Sequence, residues 1–531
     1  MRRPVLAALG LIVFASAVVA RPEQARVDKA VEKGVAWVKG QQKPDGTFKD
    51  KWAHAYATGE TALSLLTLLK CGTKPEDPGI QKGFDWLLAQ PFKKTYEVSI
   101  SILALEALYA PKQKPDSQNP YRTIAKKAFV KGADPRIKDW LERATQYLVE
   151  NEKAEGMWAY PDRETDVSNT QFAILALKAS HRMGVKVDPE VFAKAVIYFT
   201  EKQEKQGSKV PDFDVPAADN PIDDVEDKKA AQKQREKLKH DGATQERPKS
   251  SMEARGWSYK GSWGPRGSMT AAGVASLVVC KSELENNPVY EKKYAAAVEK
   301  AIRDGAAWLA YHFRADANPG AEPDWLFYYL YTLERAGTLT GCDALGSHDW
   351  YGEGAEVILK AQKDDGHFEE GTKGELDGTL AGTCLALLFL KRSTVPVIER
   401  TATGVEGGNA NPGNGNGGDK GGGGVAAPAG DKRLGVKVEK LEDGNFAVTF
   451  RVRPPGTPTK VTVAGSFNNW DKDATPCAAG PDGVYEATVR MKAGKISYKL
   501  VLNGSEWILD PGNTASEDDG HGNKNSSFTV G

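Results

Sequence analysis

The heptapeptide QKPDGTF at 42–48 returns as QKDDGHF at 362–368, with a looser copy, EKAEGMW, at 152–158. Gln42, Gly46 and Phe48 correspond to Gln362, Gly366 and Phe368, and Glu152, Gly156 and Trp158 keep the same spacing. Each copy follows an amphipathic stretch and precedes a uniformly apolar one. Self-similarity of this kind marks stacked supersecondary units, none of which buries its apolar face alone. The residue types assign the parts. Glutamine ties the end of one helix to a neighbour, glycine permits the tight turn, and the aromatic plugs the gap between units.

Outward from these turns the chain alternates two kinds of helix. In 27–39, Val27, Ala30, Val31, Val35 and Val38 fall on one face, as do Ile80, Phe84, Leu87 and Leu88 in 80–88. Similar stripes occupy 136–150, 190–203, 296–310 and 354–362. By contrast 61–69, 98–108, 170–179, 269–279, 325–333 and 379–390 are apolar on nearly all sides. A helix apolar all round must be covered all round. The economical solution is about six helical hairpins, the amphipathic helix outside and the apolar one inside. Two insertions interrupt them, at 111–135 and 205–255. In the second, 223–239 runs from acidic to basic residues, the order a helix dipole favours, and predicts an exposed helix.

These repeats resemble those of squalene and terpenoid cyclases and protein prenyltransferases over about 27–395. The resemblance implies an α/α toroid whose inner-helix ends surround a central cavity. The chemistry of those families is not matched. A cyclase-type D-x-D-D-T segment is approached only by Asp166-Val-Ser-Asn-Thr170 and Asp377-Gly-Thr379, and both lack the Asp pair. A prenyltransferase zinc site and a thioester C-G-E-Q segment have no counterpart, so no metal and no cofactor are expected. Polar residues at the inner-helix starts are the candidates for a site. They are His54, Tyr56 and Glu60, then Tyr96 and Glu97, then Asp166 and Asn169, then Trp257, Tyr259 and Trp263, and finally Asp324 and Asp377. Asp166, Asp377, His54 and Glu60 are the catalytic candidates, since two carboxylates across a cavity serve general acid and base roles at a glycosidic bond. The competing reading makes Asp166, Asp324 and Asp377 helix caps, and makes GWSYKGSW at 256–263 packing aromatics.

Beyond the repeats, KVTVAGSFNNWDKDATP at 460–476 and KISYKLVLNGSEWILDP at 495–511 place Trp470 and Trp507 in polar turns. Tryptophan is highly buried on average, so an indole in such surroundings asks for a reason. The C–H face of a sugar ring stacks on indole, and its hydroxyls pair with nearby amides. Residues 445–453, 459–465, 484–490 and 495–502 alternate as strands, with hairpin turns at Asp482–Gly483 and Asn503–Gly504. Over about 455–531 the segment resembles the glycogen-binding domain of AMP-activated kinase β subunits and family 48 carbohydrate-binding modules. The shared motifs are GSFNNW (465–470), YKL (498–500), W-x-x-DP (507–511) and GNKNSSFTV (522–530). The resemblance implies an immunoglobulin-like sandwich in which Trp470, Lys499, Trp507 and Asn525 contact an α-glucan. His521 and Asn523 depart from the family's usual final loop.

The expected organisation is therefore mainly α. It comprises a signal peptide at 1–20, an α/α toroid of about six helical hairpins at 21–400, a Gly-rich linker at 401–431 and a small all-β sandwich at 432–531. Arg2 and Arg3, the apolar run Leu6 to Phe14, and Val18 and Ala20 before Arg21 predict export to the periplasm or the outside. Lys and Arg together number 71, as do Asp and Glu, which leaves no net field for nucleic acid or an anionic membrane. No later segment is long and apolar enough to span a bilayer. Five scattered cysteines form no metal pattern; a Cys342–Cys384 bridge is one option that export permits. The reading that follows is an exported protein that binds α-glucan-type polysaccharide through its C-terminal module and carries a toroid of unassigned activity. Three alternatives stand beside it: a glycan-degrading enzyme with its site in the toroid cavity, a terpenoid cyclase or prenyltransferase-like enzyme, and a non-catalytic protein-binding scaffold. Export weighs against the cyclase, because isoprenoid pyrophosphates are intracellular.

Overall fold

The computed structural model describes residues 21–110, 121–220, 251–395 and 435–530, less a few single positions and short loops. The signal segment, the helix expected over 223–239 and the linker at 401–431 lie outside the described residues. The chain divides into two compact units, Met1–Glu399 and Arg400–Gly531.

In the first unit the hairpin helices are α1 (Gln24–Gly40), α2 (Ala53–Lys70), α3 (Pro78–Leu88), α4 (Thr95–Tyr109), α5 (Pro135–Glu150), α6 (Val167–Arg182), α7 (Pro189–Lys202), α8 (Gly267–Leu284), α9 (Ala295–Tyr311), α10 (Leu326–Thr340), α11 (Trp350–Ala361) and α12 (Leu380–Leu390). Each even-numbered helix packs on the next even one, and α12 packs on α2, so the inner ring closes. The odd helices cover it: α1 on α2 and α12, α3 on α2, α5 on α4 and α6, α7 and α9 on α8, α11 on α10 and α12. The α/α toroid is thus formed, with the uniformly apolar helices inside and the striped ones outside. The outer helices α3, α5 and α7 share a start signal. Asp77, Asp134 and Asp188 each accept a hydrogen bond from the amide two residues on, and the intervening residue is proline. An aspartate cap followed by a proline that lacks the amide hydrogen suits the first turn of a helix.

The repeated heptapeptide does what its residues dictate. Gly46 and Gly366 adopt φ of 92° and 106°. A Cβ there would sit 2.6 Å from the Lys82 carbonyl oxygen and 2.5 Å from that of Lys33. Only glycine meets both demands. The Gln42 side-chain amide donates to the Gly46 carbonyl at 3.0 Å and to that of Gly79 in α3 at 2.8 Å. Gln362 makes the matching bonds to Gly366 and, at 2.7 Å, to Ala30 in α1, which links the last outer helix to the first. Arg26 and Glu356 pair across the same seam at 2.7 Å. Gln362→Ala should therefore lower toroid stability by about 1–2 kcal/mol, the worth of two hydrogen bonds at a part-buried junction. Thermal melting checks this against Gln24→Ala on the exposed face, where no change is expected.

The aromatic plugs Phe48, Trp158, Trp257 and Phe368 are all buried. The backbone amide of each donates to a threonine of the following inner helix, Thr61, Thr170, Thr270 and Thr383 respectively, at 3.0–3.2 Å. The fourth of these units was not legible as a repeat. Its Gln203 and its plug Trp257 are separated by the 205–255 insertion, whose base is pinned where Ser208–Lys209 pairs with Glu253–Ala254. Gln203 still makes its bridge, donating to the carbonyls of Arg255 and, on the next outer helix, Ala301. The Cys342–Cys384 bridge is not made, and all five cysteines are free.

The second unit has strands β1 (Gly435–Lys440), β2 (Phe446–Val452), β3 (Val461–Gly465), β4 (Ala478–Ala479), β5 (Tyr485–Met491), β6 (Gly494–Leu502), β7 (Glu506–Ile508), β8 (Ser516–Asp518) and β9 (Lys524–Val530). One antiparallel sheet runs β1-β2-β5-β4, the other β8-β9-β6-β3 with β7 also on β6. Alternation makes each sheet two-faced. Phe446, Val448, Phe450 and Val452 of one sheet share a core with Val461, Val463, Ile496, Tyr498, Leu500 and Leu502 of the other. Between β6 and β7, where Leu502 pairs with Glu506, Asn503 and Gly504 take φ of 51° and 77°, in the left-handed region that asparagine and glycine enter most readily. Asp482–Gly483 lies outside the described residues.

Candidate functional site

The sandwich presents its candidates on the sheet face opposite the core. Tyr498 and Leu500 point inward, so Lys499 and Val501 between them face out. Val501 is the register partner of Trp507, which shares that outer face and is 41% exposed. Lys499 therefore lies one step along the strand from the residue opposite Trp507. The segment carrying Trp507 is anchored from below. The Tyr498 hydroxyl donates to Asp510 at 2.5 Å, and the Asp510 amide donates to Ser526 at 2.9 Å.

Trp470 is set by the turn after β3. The Asn468 side chain accepts from the Gly465 amide and donates to the Val463 carbonyl and the Thr475 hydroxyl. Trp470 then takes φ 61° while its amide donates to Gly465. A bulky residue in the left-handed region costs about 1–3 kcal/mol and is held there by its surroundings. Trp470 is partly exposed, and neither indole belongs to the core between the sheets. Asn525 is only 8% exposed, on β9 opposite Glu517, and is the least accessible of the four. His521 and Asn523 lie outside the described residues.

The toroid candidates gather where the inner helices begin, but most of them serve the backbone. Asp166 caps α6, accepting from the Asn169 amide at 2.7 Å and its side chain at 2.8 Å. Glu60 accepts from the Asp50 amide, and Asp50 in turn accepts from Leu380 at the start of α12. Asp377 is not a cap, contrary to the competing reading. Thr379 caps α12, and Asp377 accepts from the Gly371 amide within the preceding loop. Asp324 does not cap α10 either, since Trp325 occupies that position in a left-handed conformation without a side-chain cap. The His54 side chain lies outside the described residues.

A rule visible only in three dimensions organises this mouth. The residue two beyond each plug reaches the start of the preceding inner helix. Asp50 receives the Leu380 amide, Glu370 receives Phe327 at 2.7 Å, the Tyr160 ring stacks on Tyr96 at 6.4 Å, and the Tyr259 hydroxyl reaches the Asp166 carboxylate. The sequence signal was present in Trp158-Ala-Tyr160 and Trp257-Ser-Tyr259. Tyr328, also missed, receives Gln171 at 2.6 Å and shares a hydrogen bond with Ser168 at 2.7 Å. Tyr160, Tyr259 and Tyr328 thus gather around Asp166, one of several acids at the mouth. Burial raises the Asp166 pKa against the lowering effect of its Asn169 hydrogen bonds, and burial raises that of Glu97 against the nearby Lys94. Below the mouth, every residue of α10 and every residue of α8 but Glu283 is buried. The two tryptophans of GWSYKGSW part company: Trp257 is a buried plug, whereas Trp263 is 50% exposed. Among the described residues, no three His, Cys, Asp or Glu side chains come together in a way that could hold a metal ion, and no helix is long and apolar enough to cross a membrane.

Residues 13–164 match the model of the squalene-hopene cyclase C-terminal domain family, which is less than a third of the chain and begins inside the segment read as an export signal. Among solved structures, the chain is similar to a type II terpene cyclase from Scytonema, determined in complex with the product merosterolic acid A. That match has 12% identity and a TM-score of 0.39, covering 70% of this chain and 97% of the other. No curated protein sequence matches. The toroid described above rests on its own helix contacts.

Proposed function

We propose that this is an exported protein that holds α-glucan-type polysaccharide through its C-terminal sandwich, with the toroid as the body so anchored. One observation carries the reading. Trp507 stands open on the non-core face of the sheet that Lys499 shares, opposite Val501, while Trp470 lies outside the core with its backbone in the left-handed region. Flat apolar surface beside hydrogen-bond donors is the chemistry that recognises a sugar ring. Electrophoresis of the full chain through gels containing glycogen tests it. Trp470→Ala and Trp507→Ala should each weaken retardation by about 1–3 kcal/mol, on the scale of stacking losses at aromatic platforms. Unchanged migration of both variants refutes the reading.

A second reading gives the toroid cyclase-like chemistry. Asp166, whose pKa burial raises and which lies near Tyr160, Tyr259 and Tyr328, supports it. Proton-initiated cyclisation of a polyene requires an acid held among aromatic faces. Turnover of squalene that disappears in Asp166→Asn would establish this reading, and no turnover by the intact chain would end it.

A further inference from the structure

We propose that Glu517 sets the length of glucan the sandwich holds, by latching across one half of its outer face. The ligand class rests on the reading of the sandwich given above, whereas the latch is drawn from strand register and contacts. One edge of β6 pairs with β3 along Tyr498 to Leu502. On the other edge β7 pairs with Leu500 to Leu502 and β9 with Gly494 to Tyr498, so β7 and β9 lie end to end. Ile496 and Tyr498 belong to the core, which turns Lys495, Ser497 and Lys499 outward. Phe528 packs on the core, so Asn525 and Ser527 also face out. A glucan stacked on Trp507, opposite Val501, and lying along β6 passes Lys499 and then meets Asn525 and Ser497. From Val501 to Ser497 the strand rises about 13 Å, a span longer than one sugar ring.

Glu517 stands on β8 directly opposite Asn525, and residues so paired share a face. Its carboxylate reaches further. It accepts from the Ser497 hydroxyl and pairs with Lys495, both on β6, which lies on the far side of β9. The Glu517 side chain therefore crosses β9 on the outer face. That crossing accounts for an Asn525 only 8% exposed on a face where Trp507 is 41% exposed. One half of the face is an open indole, and the other is a carboxamide roofed by an ion pair. The roof is releasable. The Lys495 and Glu517 side chains are 64% and 27% exposed, and pairs this open to water hold weakly. Once uncovered, Asn525 presents both a donor and an acceptor to sugar hydroxyls. A short run of glucose units sits on Trp507 and Lys499 with the latch shut, whereas a longer run must displace Glu517.

Calorimetry on the full chain with maltotriose and maltoheptaose tests the latch. Glu517→Ala should bind maltoheptaose roughly fivefold more tightly than the parent, the worth of a hydrogen bond made accessible, and maltotriose equally. Ser497→Ala loosens the latch from the other strand and should shift the ratio of the two affinities in the same direction. Asn525→Ala should be nearly silent in the parent and should abolish the gain in the Glu517→Ala background, a coupling that a double-mutant cycle reads directly. Equal or weaker maltoheptaose binding by Glu517→Ala, a gain shared by maltotriose, or a gain that survives Asn525→Ala overturns the latch. In each of those cases the sandwich reading stands provided that Trp507→Ala loses binding. If Trp507→Ala binds both sugars as the parent does, or neither the parent nor Glu517→Ala binds either sugar, the sandwich reading falls and the latch falls with it.

Discussion

Trp257→Ala is expected to destabilise the toroid by about 3–5 kcal/mol, the range for truncating a fully enclosed aromatic. The indole is 1% exposed and donates from Nε1 to the Phe199 carbonyl at 2.9 Å. Its slot is cut by two glycines. A Cβ at Gly273 or at Gly305 would each lie 2.7 Å from an indole atom. Phe199 closes the slot edge-on at 6.1 Å. Walls formed by helix backbone collapse poorly onto a cavity, so the loss should approach the upper end. Urea unfolding followed at 222 nm, which reads the helical unit, measures it. Trp257→Phe should lose less than half as much, and equal midpoints for the alanine variant and the parent would contradict this account of the plug.

The second large effect concerns Glu106 and Arg182. Arg182 donates two bonds to the carboxylate, at 2.6 and 2.9 Å, across two inner helices, and both residues are buried. Burial pushes the Glu106 pKa up, and the charge and hydrogen bonds of Arg182 more than reverse it, so the net direction is downward. Removing one partner leaves the other charge stranded in the interior, at about 3–5 kcal/mol. Arg182→Met should therefore show a large loss in urea. The double variant Glu106→Leu/Arg182→Met should recover most of it, because a well-packed apolar pair replaces a buried ion pair at little cost. A double variant as unstable as the single one would show that packing volume, and not the unpaired charge, sets the penalty.

Much of this architecture was legible because its signals are local. The Gln-x-x-x-Gly-x-aromatic turn states a bond, a backbone angle and a plug within seven residues, and the contrast between striped and uniformly apolar helices states which layer is inside. Trp470 was legible as an indole in a polar turn, whereas Trp507 lies in strand β7, just after the Asn503–Gly504 turn. What escaped was non-local. Gln203 and Trp257 form one turn although 53 intervening residues hide it. Glu106 and Arg182 find each other across 76 positions, and nothing in either helix announces the other. The mouth was misread at α12 because Asp377 and Thr379 are both good caps and stand two residues apart; loop geometry decided for Thr379. The short strands β7 and β8 are too brief for alternation to register, while β9 was visible only through the GNKNSSFTV motif.

The seam between α11 and α1 carries a consequence for biosynthesis. Gln362 bonds to Ala30 and Glu356 pairs with Arg26 over separations of 332 and 330 residues, and α12 is the wall that completes the ring beside α2. An open solenoid nucleates anywhere and grows by neighbours. A circle must wait for its last segment to leave the ribosome, and contacts so distant along the chain form slowly. Until residue 390 emerges, α2 has an uncovered greasy flank, the kind of transiently exposed apolar surface that promotes aggregation.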